Sequence, residues 1–250
     1  MAPGGFAAPG ALTKEFRCEQ HAGAPLIDLT LFRQSAFSAG NVAGLMGYAA
    51  LFGLFCLMPF IFVRAYRDST LAAGLRLSIV PVMLGVVAPI AGALYDRLGA
   101  RLLTVSGMLI CVVALALLFA ALDGAPASLP LVMLALAIFG IGQGLFISPN
   151  NSAVVAAAPA ALTGEAGGLL NVMRSCGISI GVAAASSLLA WRLALRTGSG
   201  HDTLHAEAQQ LLAAGRDVTV LLASFAAMAG VISLVRLPSR RSGDAKDASA

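Results

Sequence analysis

The sequence has few charged and few aromatic residues. Only 11% of its 250 residues are Asp, Glu, Lys or Arg and 6% are aromatic, whereas 58% are hydrophobic. Soluble domains have about 25% charged and about 45–50% apolar residues, so this composition excludes a soluble enzyme and a disordered chain. The net charge of +4 is too small for a surface that follows nucleic-acid phosphates. The composition therefore predicts an integral membrane protein whose partner is the lipid bilayer and not a nucleic acid.

Cysteine and histidine are also scarce. The four cysteines are scattered without a CxxC pair, and buried cysteine usually behaves as a small hydrophobe. His201 and His205 are four residues apart with Glu207 nearby, which could place them on one helical face as a metal pair. Two histidines in a polar loop are more often only solvated, so we expect no metal site and no cofactor. A phosphate-binding GxxxxGK loop is absent from the sequence, so we do not expect ATP to drive the protein.

Six apolar stretches approach or exceed the ~18–20 residues that a helix needs to cross a hydrocarbon core. We predict spans at about 41–62, 77–94, 102–122, 129–148, 163–191 and 218–235. Their lengths and their lack of alternation favour helices over barrel strands. The predicted fold class is all-α, a six-helix transmembrane bundle over residues 38–236. Residues 1–37 are predicted to be a cytoplasmic segment and residues 237–250 a disordered cytoplasmic tail.

The predicted location is the plasma (inner) membrane. The N-terminus has no basic start followed by an apolar core, so we do not expect a cleaved signal peptide. An even number of spans places both termini on one side of the membrane. With the termini in the cytoplasm, more basic residues lie on that side than outside, which is a modest positive-inside bias. The excess of arginine over lysine and the high alanine content indicate a GC-rich bacterial gene.

Glycine and proline are frequent within the predicted spans. Several glycines are four residues apart, a spacing that lets helix backbones approach closely in lipid. Three prolines interrupt spans and favour helices that bend, as in alternating-access transporters, although tight static packing would explain most of the glycines equally well. The residues that we assign to helix packing or bending are Pro81, Pro89, Gly140, Gly144, Pro149, Gly164, Gly168, Gly177 and Gly181.

The connection between the second and third predicted spans has the sequence GALYDRLGAR, which starts at Gly92. Asp96 and Arg97 directly follow a helix end, Gly99 can adopt the positive φ of a tight turn, and Arg101 starts the next helix. Such a loop could hold two helices together in one state and release them in another. An ordinary positively charged turn is the alternative interpretation.

These residues resemble the G-x-L-x-D-R-x-G-x-R loop signature of the major facilitator superfamily. The run from Phe139 to Gly181 is similar to the penultimate helix pair of its fourteen-helix drug:proton antiporter branch. Residues 25–37 resemble the stretch before the ninth helix of those transporters, and the whole resemblance covers roughly Pro25 to Val235. It implies the C-terminal half of an efflux transporter for small amphipathic molecules or drugs. Family members commonly have a basic residue directly after the turn glycine, where this chain has Ala100.

The resemblance extends to one half of the transporters only. Family transporters have two six-helix halves with a substrate path between them, so we expect this chain to need a complementary six-to-eight-helix half or a second copy of itself. The alternative is a truncated, non-transporting membrane fragment or scaffold. An enzyme is disfavoured, because no acid–base or nucleophile pair lies at a plausible depth. No acidic residue lies in the interior of a predicted span, since Glu165 is at a helix start and Asp96 at a helix end, so this half alone is not expected to couple transport to protons.

One charge lies inside a predicted span. If that helix begins near Thr163, Arg174 lies ~16 Å along it, where a charge must face the bundle interior or water. Its guanidinium could contact a substrate or a gate, could donate hydrogen bonds to carbonyls freed by Pro149, or could reach the cytoplasmic surface. With polar residues nearby it forms our candidate substrate path: Gln143, Asn150, Asn151, Asn171 and Arg174.

Overall fold

A computed structural model describes residues 34–197 and 208–235 of the chain. Within these ranges the chain is helical and has no β-strand. The α-helices are α1 (Ser35–Phe60), α2 (Thr70–Leu77), α3 (Ile79–Leu98), α4 (Ala100–Ala121), α5 (Leu129–Ala156), α6 (Thr163–Thr197) and α7 (Ala208–Val235). The predicted N-terminal segment up to residue 33, the pair His201 and His205, and the predicted tail lie outside the described residues.

Six helical stretches in the described ranges are long and apolar enough to cross a membrane. α2 and α3 together form one of them, and α1 continues through a π-helical turn at Ile61–Ala65. The predicted all-α, six-span fold class is therefore confirmed.

The helices extend beyond the apolar runs from which the spans were predicted. α6 continues to Thr197 and α7 begins at Ala208, whereas the predicted spans end at residue 191 and begin at residue 218. The additional turns carry charged side chains, and Arg192 Nε lies 3.4 Å from Asp217 Oδ2. The apolar run ends at such charged residues, whereas the helix continues past them.

Consecutive spans run in opposite directions, so their ends collect at two faces of the bundle. The start of α1, the α3–α4 connection and the α5–α6 connection share one face, which we call the motif end. The π-helical turn, the α4–α5 connection and the start of α7 share the opposite face, which we call the far end. The GALYDRLGAR connection thus lies at the same end as the α5–α6 hairpin.

The hydrophobic core is centred on α1 and α5. α5 packs most extensively against α3 and α4, and α1 packs against α6 and α7. The most apolar part of α1 is 61% buried, whereas that of the α2–α3 span is 11% buried and that of α6 is 22% buried. The bundle therefore fully buries only a minority of the residues in these two spans.

Glycines bring α5 close to the backbone of α3. A Cβ added at Gly140 would lie 2.6 Å from the carbonyl oxygen of Val80. A Cβ added at Gly144 would lie 2.9 Å from the Cβ of Val87. Both distances are shorter than van der Waals contact, so any larger residue would separate the two helices.

A second pair of glycines brings α6 onto α1. A Cβ added at Gly177 would overlap the carbonyl oxygen of Leu45, and one added at Gly181 would overlap that of Ala49. The two glycines are four residues apart and face the same side of α6, which is the small-residue arrangement that allows close helix packing in membranes.

The surroundings of four other glycines differ from what the sequence assignment predicts. Gly164 and Gly168 have open space where a Cβ would be. Gly107 of α4 and Gly142 of α5, which the sequence reasoning did not assign, face each other, and a Cβ on either would lie 2.7 Å from the other's carbonyl oxygen. Neither has a glycine four residues away, so the spacing criterion missed this pair.

Two prolines lie beside irregular parts of the helices and two lie within continuous α-helix. Pro89 and Pro149 are inside α3 and α5, and Pro59 is inside α1 just before the π-helical turn. Pro81 lies in the first turn of α3, directly after the break at Ser78. A proline ring clashes with the carbonyl four residues earlier, which is the last residue of α2, so the break is where Pro81 requires it.

Replacing Gly181 by Ala is expected to destabilise the bundle by about 1–3 kcal/mol, because the new methyl group overlaps the α1 backbone. Gly168→Ala is the matched control in the same helix, and it should be neutral or stabilising by up to about 1 kcal/mol, because its site is open and alanine favours helix. Thermal unfolding of the purified chain in detergent measures both. Equal unfolding midpoints for the two variants would contradict the described α1–α6 contact.

Candidate functional site

Polar side chains collect where α1, α5 and α6 meet, toward the motif end. α5 contributes Gln143, Asn150 and Asn151, α1 contributes Tyr48, and α6 contributes Arg174. We call these five residues the polar cluster. Some members of the cluster are enclosed between helices and others are exposed at the bundle surface.

Two members of the polar cluster join α5 to α1. Gln143 Nε2 donates to the carbonyl oxygen of Gly47 at 3.2 Å, and Asn150 Nδ2 donates to that of Gly40 at 3.0 Å. Their side chains are 0% and 2% exposed. In this conformation both amides are enclosed between helices, and their N–H groups bond α5 to α1.

Arg174 and Asn151 both contact Tyr48. The Arg174 guanidinium carbon lies 5.3 Å from the centroid of the Tyr48 ring, within cation–π range. Asn151 Nδ2 donates to the Tyr48 hydroxyl at 3.3 Å. Among the described residues Arg174 makes no hydrogen bond or ion pair, so the alternative in which it bonds to carbonyls near Pro149 is not what the structure shows. Its side chain is exposed at the bundle surface.

The depth of Arg174 follows from the bounds of α6. The helix begins at Thr163, as the sequence reasoning supposed, which places Arg174 ~16 Å from its start. The flanking charges Glu165 and Arg192 are ~40 Å apart along the axis, and Arg174 lies ~13 Å from Glu165. Arg174 is therefore within the membrane-crossing part of α6, in the half nearer the motif end.

Asn171 lies three residues before Arg174 on α6 and is also exposed. Residues three apart on a helix are neighbours on one face, so the Asn171 and Arg174 side chains border the same open surface. The structure thus places these two predicted path residues at an open surface, whereas it encloses Gln143 and Asn150.

An open cleft of about 740 Å³ adjoins the polar cluster at the motif end, within the size range of small-molecule sites. It lies between the end of α5 and the start of α6, with Asn151 and Leu170 in its wall. A second, narrow cavity of about 10 Å³ shares those two residues and continues to Tyr48 and Arg174. The open cleft is lined by Asn151, Ser152, Val155, Ala156, Ala158, Ala160, Thr163 and Leu170.

The GALYDRLGAR segment forms the end of α3, a tight turn at Gly99 and the start of α4 at the motif end. Asp96 and Arg97 were expected to follow the helix end, but they lie in the last turn of α3, because the helix continues through these charged residues to Leu98. Gly99 has φ +77° and ψ 158°, a region that is essentially restricted to glycine, so the predicted positive φ is confirmed. Asp96, Arg97 and Arg101 are exposed and, within the described ranges, make no ion pair with each other or with other residues. Their charges are therefore not neutralised by other described residues. A Cβ added at Gly92 would lie 3.6 Å from the Ser148 hydroxyl, an ordinary contact.

The far end, in contrast, is held by several polar contacts. Arg76 pairs with Asp68 at 3.2 Å, in addition to the pair between α6 and α7. At the α4–α5 connection, hydrogen bonds from the Ser128 hydroxyl and the Ala125 N–H lower the pKa of Asp123 below its usual value. The charged side chains are thus linked at the far end and unlinked at the motif loop.

The sequence reasoning missed Tyr48, on which Arg174 and Asn151 both depend. The available signal was composition, because the chain has only three tyrosines and this one lies inside an apolar span. A tyrosine hydroxyl in such a place needs a hydrogen-bond partner, and a search for one leads to the polar residues of α5.

The sequence matches the model of the Major Facilitator Superfamily over residues 6–198. The match includes all of α1 to α6 and therefore the whole GALYDRLGAR segment. The chain belongs to the Major Facilitator Superfamily. The family expected from the loop motif and the glycine pattern is therefore confirmed.

Curated relatives are bacterial membrane transporters. The riboflavin transporter RibZ of Clostridioides difficile is 36% identical over 170 residues, which cover 67% of this chain and 36% of RibZ. The multidrug resistance protein Stp of Mycobacterium tuberculosis is 30% identical over 174 residues, 69% of this chain and 32% of Stp. The uncharacterized transporter YebQ of Escherichia coli is 32% identical over 165 residues, 66% of this chain and 36% of YebQ. These names indicate a transporter family and not an enzyme, and the chain spans about a third of the length of these relatives.

Replacing Gly99 by Ala is expected to cost about 1–3 kcal/mol, because alanine is strained at this φ and ψ. Gly92→Ala, in the same motif, has room for its methyl group and should have little effect. Urea unfolding of the purified chain, followed by helical circular dichroism, compares the two. A Gly99→Ala midpoint equal to that of the wild type would show that the turn does not need glycine.

Proposed function

We propose that this chain is the C-terminal half of a major-facilitator efflux transporter for small amphipathic molecules, drugs among them. The observation that carries the proposal is the cleft of about 740 Å³, whose wall residues Asn151 and Leu170 also line the narrow cavity at Arg174 and Tyr48. A charged side chain within the membrane-crossing part of a helix is a functional-site candidate by default. The names of two relatives, a riboflavin transporter and a multidrug resistance protein, support substrates of this size and character.

The proposed path is bordered by Asn151, Asn171 and Arg174. Gln143 and Asn150 support it from behind, because their hydrogen bonds to α1 hold α5 in position. In this division the exposed side chains meet the substrate and the enclosed ones fix the geometry.

The uncovered faces of α3 and α6 support the need for a complementary half. Val82, Val86 and Ile90 of α3 are each more than half exposed. The exposed face of α6 includes Ser175 and Ser179, small polar residues that favour contact with another helix over contact with lipid tails. The complementary part would be a six-to-eight-helix half, in the same polypeptide or in another, or a second copy of this chain.

We place the transporter in the bacterial plasma membrane with the motif end in the cytoplasm, where both termini of this half would then lie. The exposed charges of Asp96, Arg97 and Arg101 would engage the complementary half there in one state and release it in another. Proton coupling would depend on carboxylates of the complementary half, because α1 and α5 contain no acidic residue.

Co-reconstitution tests the proposal. The chain would be produced together with the N-terminal part of a full-length relative and incorporated into liposomes, with each part alone as a control. Dye transport driven by an imposed proton gradient should occur with both parts and not with either one. Stable association of the two parts without transport of any dye in a chemically varied panel would instead favour the fragment or scaffold interpretation.

Asp96→Asn is expected to lower the initial transport rate about tenfold, within the range of typical coupling energies between sites. Its unfolding midpoint should be unchanged, because Asp96 makes no ion pair in the described part of the chain. Asp68→Asn is the contrasting variant, since it breaks the contact with Arg76 at the far end and should lower the midpoint. An Asp96→Asn protein that transports at the wild-type rate would refute the gating role.

A further inference from the structure

We infer that the cleft beside Arg174 receives the acidic group of the substrate, so that this half selects anionic over cationic amphiphiles. The inference rests on the proposed function, because it names the substrate class of the same path. It is carried by the charges around the cleft, by the geometry of the donors and by the character of the cleft wall.

Few charged residues lie on the helices around the cleft. α5 forms one side of the cleft and α1 lines the narrow cavity beside it, and neither helix contains Asp, Glu, Lys or Arg. On α6 the nearest acidic residue is Glu165, ~13 Å from Arg174 along the axis. Arg174 makes no ion pair among the described residues, so its positive charge is not neutralised within this half.

The stacking on Tyr48 orients Arg174 without cancelling its charge. A cation–π contact leaves the edge of the guanidinium free, and the edge carries the N–H groups that bind a carboxylate in a bidentate manner. The Tyr48 hydroxyl already accepts a hydrogen bond from Asn151, which fixes the ring on which the guanidinium lies. Arg174 is therefore held in place for an acceptor that approaches from the cleft.

Asn171 supplies a second donor on the same face of α6. Its amide and the Arg174 guanidinium are three residues apart and both exposed. A carboxylate, sulfonate or phenolate oxygen could accept from both side chains, whereas a cationic amine would meet the guanidinium charge. Charges near a protein surface act more strongly on each other than charges in bulk water.

The wall of the cleft fits the remainder of an amphipathic molecule. Val155, Ala156, Ala158 and Leu170 present apolar surface around a volume of about 740 Å³, large enough for a fused aromatic ring system. The substrate class that matches is therefore a planar, mostly apolar molecule with one acidic group.

Two dyes with the same xanthene skeleton test this selectivity. Fluorescein is anionic and rhodamine 123 is cationic at neutral pH. Binding of each dye to the purified chain is measured by fluorescence anisotropy, and transport of each is measured in the two-part liposomes. The wild type should bind and transport fluorescein in preference to rhodamine 123.

Arg174→Gln should weaken fluorescein binding about tenfold or more, as the loss of a charge-assisted contact implies, without weakening rhodamine 123 binding. Arg174→Lys should retain part of the preference, because it keeps the charge and loses the planar fork. Arg216→Gln is the control, since Arg216 makes the same kind of contact with Phe119, 5.8 Å away, between α7 and α4. It should leave the preference unchanged.

The outcomes separate this inference from the proposed function. A fluorescein preference that Arg174→Gln abolishes and Arg216→Gln does not supports the inference. If the dyes are transported without a charge preference, the inference is overturned and the transporter proposal stands. The same holds if a charge preference exists and Arg174→Gln does not alter it. Charge-selective binding that depends on Arg174, without transport by the two-part liposomes, supports the inference on binding and counts against the transporter proposal.

Discussion

The backbone contact between α1 and α6 determines the geometry of the candidate site. Gly177 and Gly181 meet the carbonyl groups of Leu45 and Ala49, and Tyr48 lies on α1 between those two contacts. Arg174 lies one turn before Gly177, so the approach of the two helices places its guanidinium over the tyrosine ring. If either glycine carried a side chain, the helices would separate and the ring would no longer support the charge.

Hydrogen bonds fix the position of α5 against α1, as the glycine contacts fix that of α6. Gln143 and Asn150 donate to the carbonyl groups of Gly47 and Gly40, and these acceptors are accessible because glycine has no side chain to cover them. In lipid, a buried amide without a partner is costly, so these contacts also determine which face of α5 turns toward α1. The central helix α1 is therefore rich in glycine for two reasons, close packing and access to its carbonyls.

The sequence predicted the number of spans, the family and the turn at Gly99, because each depends on local composition or on a contiguous motif. It did not predict the ends of α6 and α7, since charged turns continue a helix after hydropathy has fallen. It also grouped Gln143 and Asn150 with Arg174 in one path. Which polar residues are enclosed and which are exposed depends on the rotation of each helix against its neighbours. That rotation is set by contacts such as the one between Gly107 and Gly142, which no short motif reveals.

The length of α6 has a consequence for the membrane around the protein. Its 35 residues extend ~52 Å, whereas the hydrocarbon core is ~30 Å thick. The helix must therefore tilt or extend past the lipid tails, and its ion pair with Asp217 favours extension at the far end. A membrane helix that is longer than the local bilayer thickness responds by tilting, kinking or locally thickening the bilayer. Lipid composition would then set how deeply the Arg174 charge lies below the headgroups, and so how readily water reaches it.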